Sequence, residues 1–316
     1  MRIIGLLLGL CCLVGCASAA PNPTPSPVVA IATPTTISIT ATALDPTPIS
    51  LTATPMALAL TWQSYTVYRV EPGDSLESIA ERGASFPLFI SRYNRLNRPI
   101  EAGQLLIVPR LESDQPNSLP STPMLISRGF TSQAWVGLSC DLRAAAAPIE
   151  PMLQTLASQS ITMTFFLNVD WIEQNPQDLP QLAAAGHELA SGVALEQIES
   201  ETLAQALNQT ETALTNQLGM DASVRPYLRI WQQPSSPTLA ELAAQNGYLL
   251  LDNAQARDAL ALAEELMQPE QAASYRGELI MLDCSDPELA AALPLIIERL
   301  QQAGLQLRSI AEVMQP

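Results

Sequence analysis

Lysine is absent from this 316-residue chain, and each of its 15 fixed cations is an arginine. With no lysine side chain, amine nucleophiles and Schiff-base chemistry are excluded. Histidine is scarce as well: His187 is the only one. Positive charge of any kind is outnumbered, 15 basic against 31 acidic residues, for a formal charge of −16. Such a chain repels phosphate backbones, which excludes nucleic acid as a partner. Long apolar runs are also missing. The longest at the N-terminus, residues 3–14, is too short and wrongly flanked to span a membrane. What is present is apolar residue overall, 47% of the chain, enough to bury a sizeable core in two modest domains.

The first residues read as targeting rather than fold. Arg2 supplies a short positive region, the apolar run follows, and it ends in Leu13-Val14-Gly15-Cys16. That ending resembles the lipobox of bacterial lipoproteins. The resemblance implies a signal peptide over residues 1–15, lipidation of Cys16, and an extracytoplasmic protein held to the cell membrane by its lipid anchor. The alternative is an ordinary signal peptide cut near Ala19 or Ala20. Of five cysteines, Cys11 and Cys12 fall inside the signal, which leaves Cys140 and Cys284 in the folded body. An oxidising compartment permits a disulfide between them; two buried free thiols are the other reading.

Residues 16–61 are dominated by Pro, Thr, Ser and Ala. Repeated X-Pro steps favour extended polyproline geometry, and such a composition builds no core. About 45 residues of this kind reach roughly 140 Å, which suits a stalk. A compact stretch follows at 65–110, then a second linker at 111–126, "LESDQPNSLPSTPMLI". The region 127–316 alternates short apolar runs with amphipathic ones. "AWVGLSC", "ITMTFFLN", "HELASGV", "VRPYLR", "YLLLD" and "ELIMLD" read as buried strands, separated by helix-like segments that open on Ser, Asp or Pro and close on Gly. Repeated strand–helix units predict an α/β domain with a parallel sheet or barrel, whose functional groups lie at the carboxyl ends of the strands. The sequon at Asn208 carries little meaning in a chain with a bacterial lipobox.

Residues 65–110 resemble the LysM module on Tyr68, Val70, Gly73, Asp74, Leu76, Ile79, Ala80, Asn94, Ile100, Gly103, Gln104, Leu105, Ile107 and Pro109. The resemblance implies a βααβ fold that binds N-acetylglucosamine-containing glycans, peptidoglycan or chitin. It places the glycan-binding groove between a loop at Gly73, Asp74, Ser75 and Leu76 and a loop at Ile100, Gly103 and Gln104. Locally, Asp74 with Glu77 three residues on predicts a capping box for the first helix. Gly83 predicts a left-handed turn at its end.

From residue 134 the chain resembles the polysaccharide deacetylase (NodB-homology) family. The resemblance rests on "TMTFFLN", "GHELASG", "VRPY" and the closing "GELIMLDCSDPELAAALPLIIERLQQAGLQLRSIAEVM". It implies a deformed (β/α) barrel, and active members are metal-dependent hydrolases of N-acetyl sugars. They use an Asp-Asp pair for base and metal ligand, two histidines four residues apart as further ligands, and a histidine on the last strand as acid. Matched residue by residue, the pair falls on Asp141-Leu142, the two ligand histidines on Gly192 and Glu196, and the acid on Asp283. His187 matches a family histidine that is not a ligand. Arg225, in "VRPY", matches the arginine that pairs with the base, which predicts an Asp141–Arg225 ion pair. Asp252 lies near a further acidic position.

No confident catalytic set survives, and Asp141, Arg225 and Asp283 stand as relics. This pattern implies a pseudoenzyme that needs no cofactor. The alternative is a divergent deacetylase with a rebuilt site, in which Asp141, Glu196 and Asp283 converge to hold a divalent metal ion such as Ca²⁺. Trp135, Trp171, Trp231 and Tyr227 are candidates for a sugar-stacking platform.

Overall fold

The computed structural model describes residues 62–111, 116–143, 149–252 and 257–316. The expectations for the signal peptide, Cys16 and the segment 16–61 lie outside the described residues. Leu58–Pro316 form one compact unit.

That unit opens with β1 (Trp62–Arg69), α1 (Leu76–Arg82), α2 (Pro87–Tyr93) and β2 (Leu105–Leu111). β1 and β2 pair antiparallel, giving the expected βααβ order. The start of β2, "LLIVP", is buried without alternation, which requires cover on both faces of a strand. Both covers are present. Tyr68, Val70, Leu106 and Val108 pack with Ile79, Ala80 and Ile90 of the two helices. Val67, Leu105 and Ile107 turn the other way and join a cluster with Ile126, Phe166, Ala190 and Tyr227 of the large domain.

Two local expectations are corrected. The N-cap of α1 is Ser75, whose hydroxyl accepts from Ser78 N–H in a Ser75/Ser78 capping box. Asp74 is not the cap because its carboxylate is claimed otherwise: Tyr68 Oη donates to it at 2.6 Å, Glu71 N–H at 2.9 Å, and Arg82 pairs with it. Gly83 ends α1 at φ −93°, and the left-handed residue is Ala84. Glycine is required at 83 for room, since a Cβ there would meet Val108 Cγ1 at 2.7 Å and Leu119 Cδ1 at 2.8 Å.

The segment expected as a linker is an ordered strap over its described part, residues 116–126. Ser118 N–H donates to Arg82 O at 2.9 Å, Thr122 N–H to Val67 O at 2.7 Å, and Leu119 is buried among the small unit's core.

The large domain runs β3 (Trp135–Leu142), α3 (Glu150–Ser158), β4 (Thr164–Leu167), α4 (Val169–Gln174), α5 (Asp178–Ala184), β5 (Glu188–Ala194), α6 (Ser200–Leu218), β6 (Tyr227–Trp231), α7 (Pro237–Gln245), β7 (Leu249–Leu250), α8 (Ala259–Glu265), α9 (Pro269–Ser274), β8 (Leu279–Asp283), α10 (Leu289–Gln302), β9 (Gln306–Arg308) and α11 (Ile310–Val313). The sheet order is β7-β6-β5-β4-β3-β8 with β9 beside β3, and these pairs are parallel. This is the parallel α/β arrangement expected from the alternating runs, and it matches the deformed (β/α) barrel that the family resemblance implies.

Strand periodicity sorts the side chains into two layers. Val136, Leu138, Cys140 and Leu142 of β3 face the helices, in a cluster with Leu156, Ile296 and Ile297. The interior receives Phe166, Ala190, Tyr227, Trp231 and Met281. Cys140 and Cys284 form a disulfide, with Cα atoms 5.7 Å apart, that ties β3 to the residue after β8. Strand pairing explains it: Cys140 lies opposite Leu282, two residues before Cys284.

Candidate functional site

The carboxyl ends of β3, β5, β6 and β8 form the barrel's mouth, and Asp141 sits there, opposite Asp283 on β8 and Phe166 on β4. It is fully buried. Its Oδ1 lies 3.1 Å from Arg229 Nε and its Oδ2 3.4 Å from Arg143 NH2. Burial pushes the carboxyl above its usual range, and Arg229, the Trp231 side chain and Arg143 oppose that rise. Burial pulls the Arg229 guanidinium down, and Asp141 opposes it in turn. The guanidinium of Arg229 also lies over Phe166, and that of Arg143 over Trp231, with 5.8 Å and 5.4 Å to the ring centroids. A carboxylate held this way has its oxygens committed to cations and is shut off from water.

The expected Asp141–Arg225 pair does not form. Arg225 precedes β6 and lies at the opposite end of the strand from Trp231. A strand rises about 3.3 Å per residue, so Arg229, four residues further on, reaches the level of Asp141. Arg225 instead pairs with Glu211.

The positions assigned to a metal do not fit one. A zinc-type site takes about three N, S or O ligands. Leu142 is apolar, buried, and on the helix-facing side of β3. Gly192 has no side chain. Glu196 is exposed two residues past β5, with its carbonyl accepting from Gln233 at 2.8 Å. Asp283 Oδ1 accepts from Ser285 N–H at 2.9 Å and from Ser285 Oγ at 2.6 Å. The anticipated convergence of Asp141, Glu196 and Asp283 is therefore not found; no group of three His, Cys, Asp or Glu able to hold a metal forms among the described residues. The aromatic platform is likewise corrected: Trp135, Trp171, Trp231 and Tyr227 are 1–7% exposed, because each is used to fill the core.

The opposite end, the floor, holds the other motif residues. Glu188 is buried; its Oε2 accepts from Thr164 Oγ1 at 2.7 Å and from Ala311 N–H at 3.0 Å, and its Oε1 faces Arg95 at 3.4 Å. Arg95 comes from the small unit and also donates to the carbonyls of Arg225, Leu189 and Ser223 at 2.6–2.8 Å. Arg225 reaches back among Tyr65, Tyr93 and Tyr248, its guanidinium 4.5–5.4 Å from their ring centroids. His187 Nδ1 accepts from Met163 N–H at 3.4 Å, and burial lowers its pKa. A cavity of about 270 Å³ lies here, lined by His187, Glu188, Arg95, Glu312 and Gln315 among others.

In the small unit, the loops at 71–75 and 101–102 are mostly exposed and adjoin each other through Val70 N–H to Gln104 O at 2.9 Å. Gly73 and Gly103 adopt φ +93° and +94°, backbone that favours glycine. Of the expected glycan contacts, Gly73 and Ser75 are exposed, and Leu76, Ile100 and Gly103 are half-buried. Asp74 is tied up as above, and Gln104 is buried with its Oε1 accepting from Glu101 N–H at 3.3 Å. Those two brace the loops.

Residues 136–248 match the polysaccharide deacetylase family model. The structure is similar to PdaA of Bacillus subtilis, a family 4 carbohydrate esterase, with TM-score 0.50 and 17% identity over 60% of this chain and 84% of that one. It is equally similar to a pseudoenzyme of that esterase family from Bacillus anthracis: TM-score 0.50, 16% identity, 61% of this chain and 70% of that one. A family 4 carbohydrate esterase from Bacillus anthracis gives TM-score 0.50 and 18% identity over 60% and 86%. At these identities the likeness is one of fold. No curated protein matches the chain.

The deacetylase-like domain thus keeps the fold and fills the mouth. Sequence reasoning missed Arg229 there, and it named Trp231 for a sugar-stacking platform rather than for filling the mouth; at the floor it missed Arg95 and Glu188. A charged residue inside the apolar run "YLRIW" was the available signal for Arg229.

Proposed function

We propose that the protein is a non-catalytic envelope protein. In this reading a lipid-anchored stalk carries a LysM module that binds N-acetylglucosamine-containing glycan, peptidoglycan above all, and the deacetylase-like barrel is the rigid body on which that module is mounted. The observation that carries the reading is Asp141: the one surviving base candidate is fully buried and paired to Arg229 and Arg143. A general base must reach the proton it takes and be free to accept it. The exposed loops at 71–75 and 101–102, with their backbone turned by Gly73 and Gly103, support a binding role for the small unit. The buried disulfide supports an oxidising, extracytoplasmic location.

The test uses the full chain. It should co-sediment with insoluble peptidoglycan and release no acetate from N-acetylglucosamine oligomers with Zn²⁺ added. Asp141→Asn should leave co-sedimentation intact, and Ala102→Arg, in the exposed loop, should abolish it. Acetate release that chelation stops would overturn the non-catalytic reading.

A further inference from the structure

Missing ligands explain why the mouth lacks metal chemistry only in part, because something else now occupies the volume. Gly192 on β5 stands opposite Arg229 on β6, and Ala194 opposite Trp231. The indole of Trp231 crosses this seam and lies on Gly192. A Cβ built at 192 would meet three ring atoms, Cη2 at 2.6 Å and Cε2 at 2.7 Å among them. Real Cβ atoms are not found that close, so a larger residue at 192 requires the ring to move. It has little room to do so. Trp231 is 1% exposed, belongs to the interior cluster with Phe166, Ala190 and Met281, and is capped by the Arg143 guanidinium. A close-packed interior resists such displacement.

We propose that Trp231 is the residue that closes the mouth to a metal ion, and that Gly192 and Trp231 are an interdependent pair. Gly192 is small so that the indole can lie flat on β5. The indole in turn takes the volume that a ligating side chain at 192 would need. Asp141, beside it, is neutralised by Arg229 instead of by an ion. This inference rests on the non-catalytic reading of the mouth and goes beyond it: restoring ligand chemistry alone will not rebuild a metal site in this chain.

Two full-length variants test it, with Co²⁺ alone as the spectroscopic probe. One carries Gly192→His, Glu196→His and Arg229→Met, which with Asp141, released from its nearer guanidinium, gives three ligating groups. The other adds Trp231→Ala. The first should show no saturable Co²⁺ spectrum. The second should bind one ion per chain, at least roughly 100-fold more tightly. Equal binding by both would overturn the proposal, as would no binding by either while their circular dichroism matches the unaltered protein.

A thermal cycle guards against a variant that does not fold. Gly192→Ala should lower Tm by roughly 5 °C or more in the natural background, and by much less in a Trp231→Ala background. Equal drops would overturn the pairing. Acetate turnover by the unaltered chain would sink the functional reading and leave this cycle untouched.

Discussion

The two ends of the barrel have taken opposite courses. At the mouth, Asp141 is enclosed by residues of its own domain, Arg229, Arg143 and Trp231. At the floor, Glu188 and Arg225 reach outward and are met by the small unit's Arg95, Tyr65 and Tyr93. Both ends rely on arginine against a buried or half-buried carboxylate. The guanidinium's planar fork lets one side chain satisfy several acceptors and stack on rings at once. The difference is in direction: the mouth is sealed from within, whereas the floor is completed by a second module. Residues that the family resemblance singles out can therefore persist in "GHE" and "VRPY" for docking.

The comparison breaks most visibly at the disulfide. Cys140→Ala with Cys284→Ala opens a 144-residue loop, and a chain-entropy treatment gives a loss of about 5 kcal/mol. Denaturant unfolding with and without reductant measures it; an unchanged midpoint would mean the tie does not matter. Next comes Arg229→Met, which leaves the buried Asp141 to the more distant and more exposed Arg143 and should cost about 3–5 kcal/mol. Asp141→Asn added to that variant should recover most of the loss, and failure to recover would show that Arg229 acts through packing alone.

A smaller effect is expected at the floor. Arg95→Met removes the partner of Glu188 and three donors to carbonyls, for about 3 kcal/mol. Hydrogen exchange should rise in both β1–β2 and the start of β5; a rise in the small unit alone would show the two as independent. The smallest effect is at His187. Burial lowers its pKa, so the stability it contributes is fully present above about pH 6.5 and is lost as pH falls from there through its folded pKa. The difference in stability between the protein and His187→Phe should therefore change with pH only in that window. As the sole histidine, it gives one imidazole resonance, whose midpoint should fall below that of a free imidazole.

Much of the fold was legible because its signals are local. Parallel strands covered on both faces read as continuous apolar runs, and "AWVGLSC" and "ELIMLD" became β3 and β8. Boundaries slipped where local rules competed. Pro226 has no donor for a ladder, so the run "VRPYLR" yields a strand only from Tyr227. Asp74 looked like a cap but was claimed by Tyr68 and Arg82. At the site, which ligands are missing could be read at once from Leu142, Gly192 and Glu196. What replaced them could not, since the contact of Trp231 with Gly192 crosses two strands 39 positions apart in the chain. Arg225 was misassigned for the same reason: motif spelling does not say which end of β6 a residue occupies.

The arginine pins between small unit and floor have a mechanical consequence. Residues 116–126 lie against both bodies rather than hanging free, and Tyr93, Arg95 and Arg98 grip the barrel and its C-terminal residues. Force applied at the loops around Gly73 and Gly103 is then borne as shear across that seam. In solution scattering the two should tumble as a single particle, and a tug on one is a tug on the other.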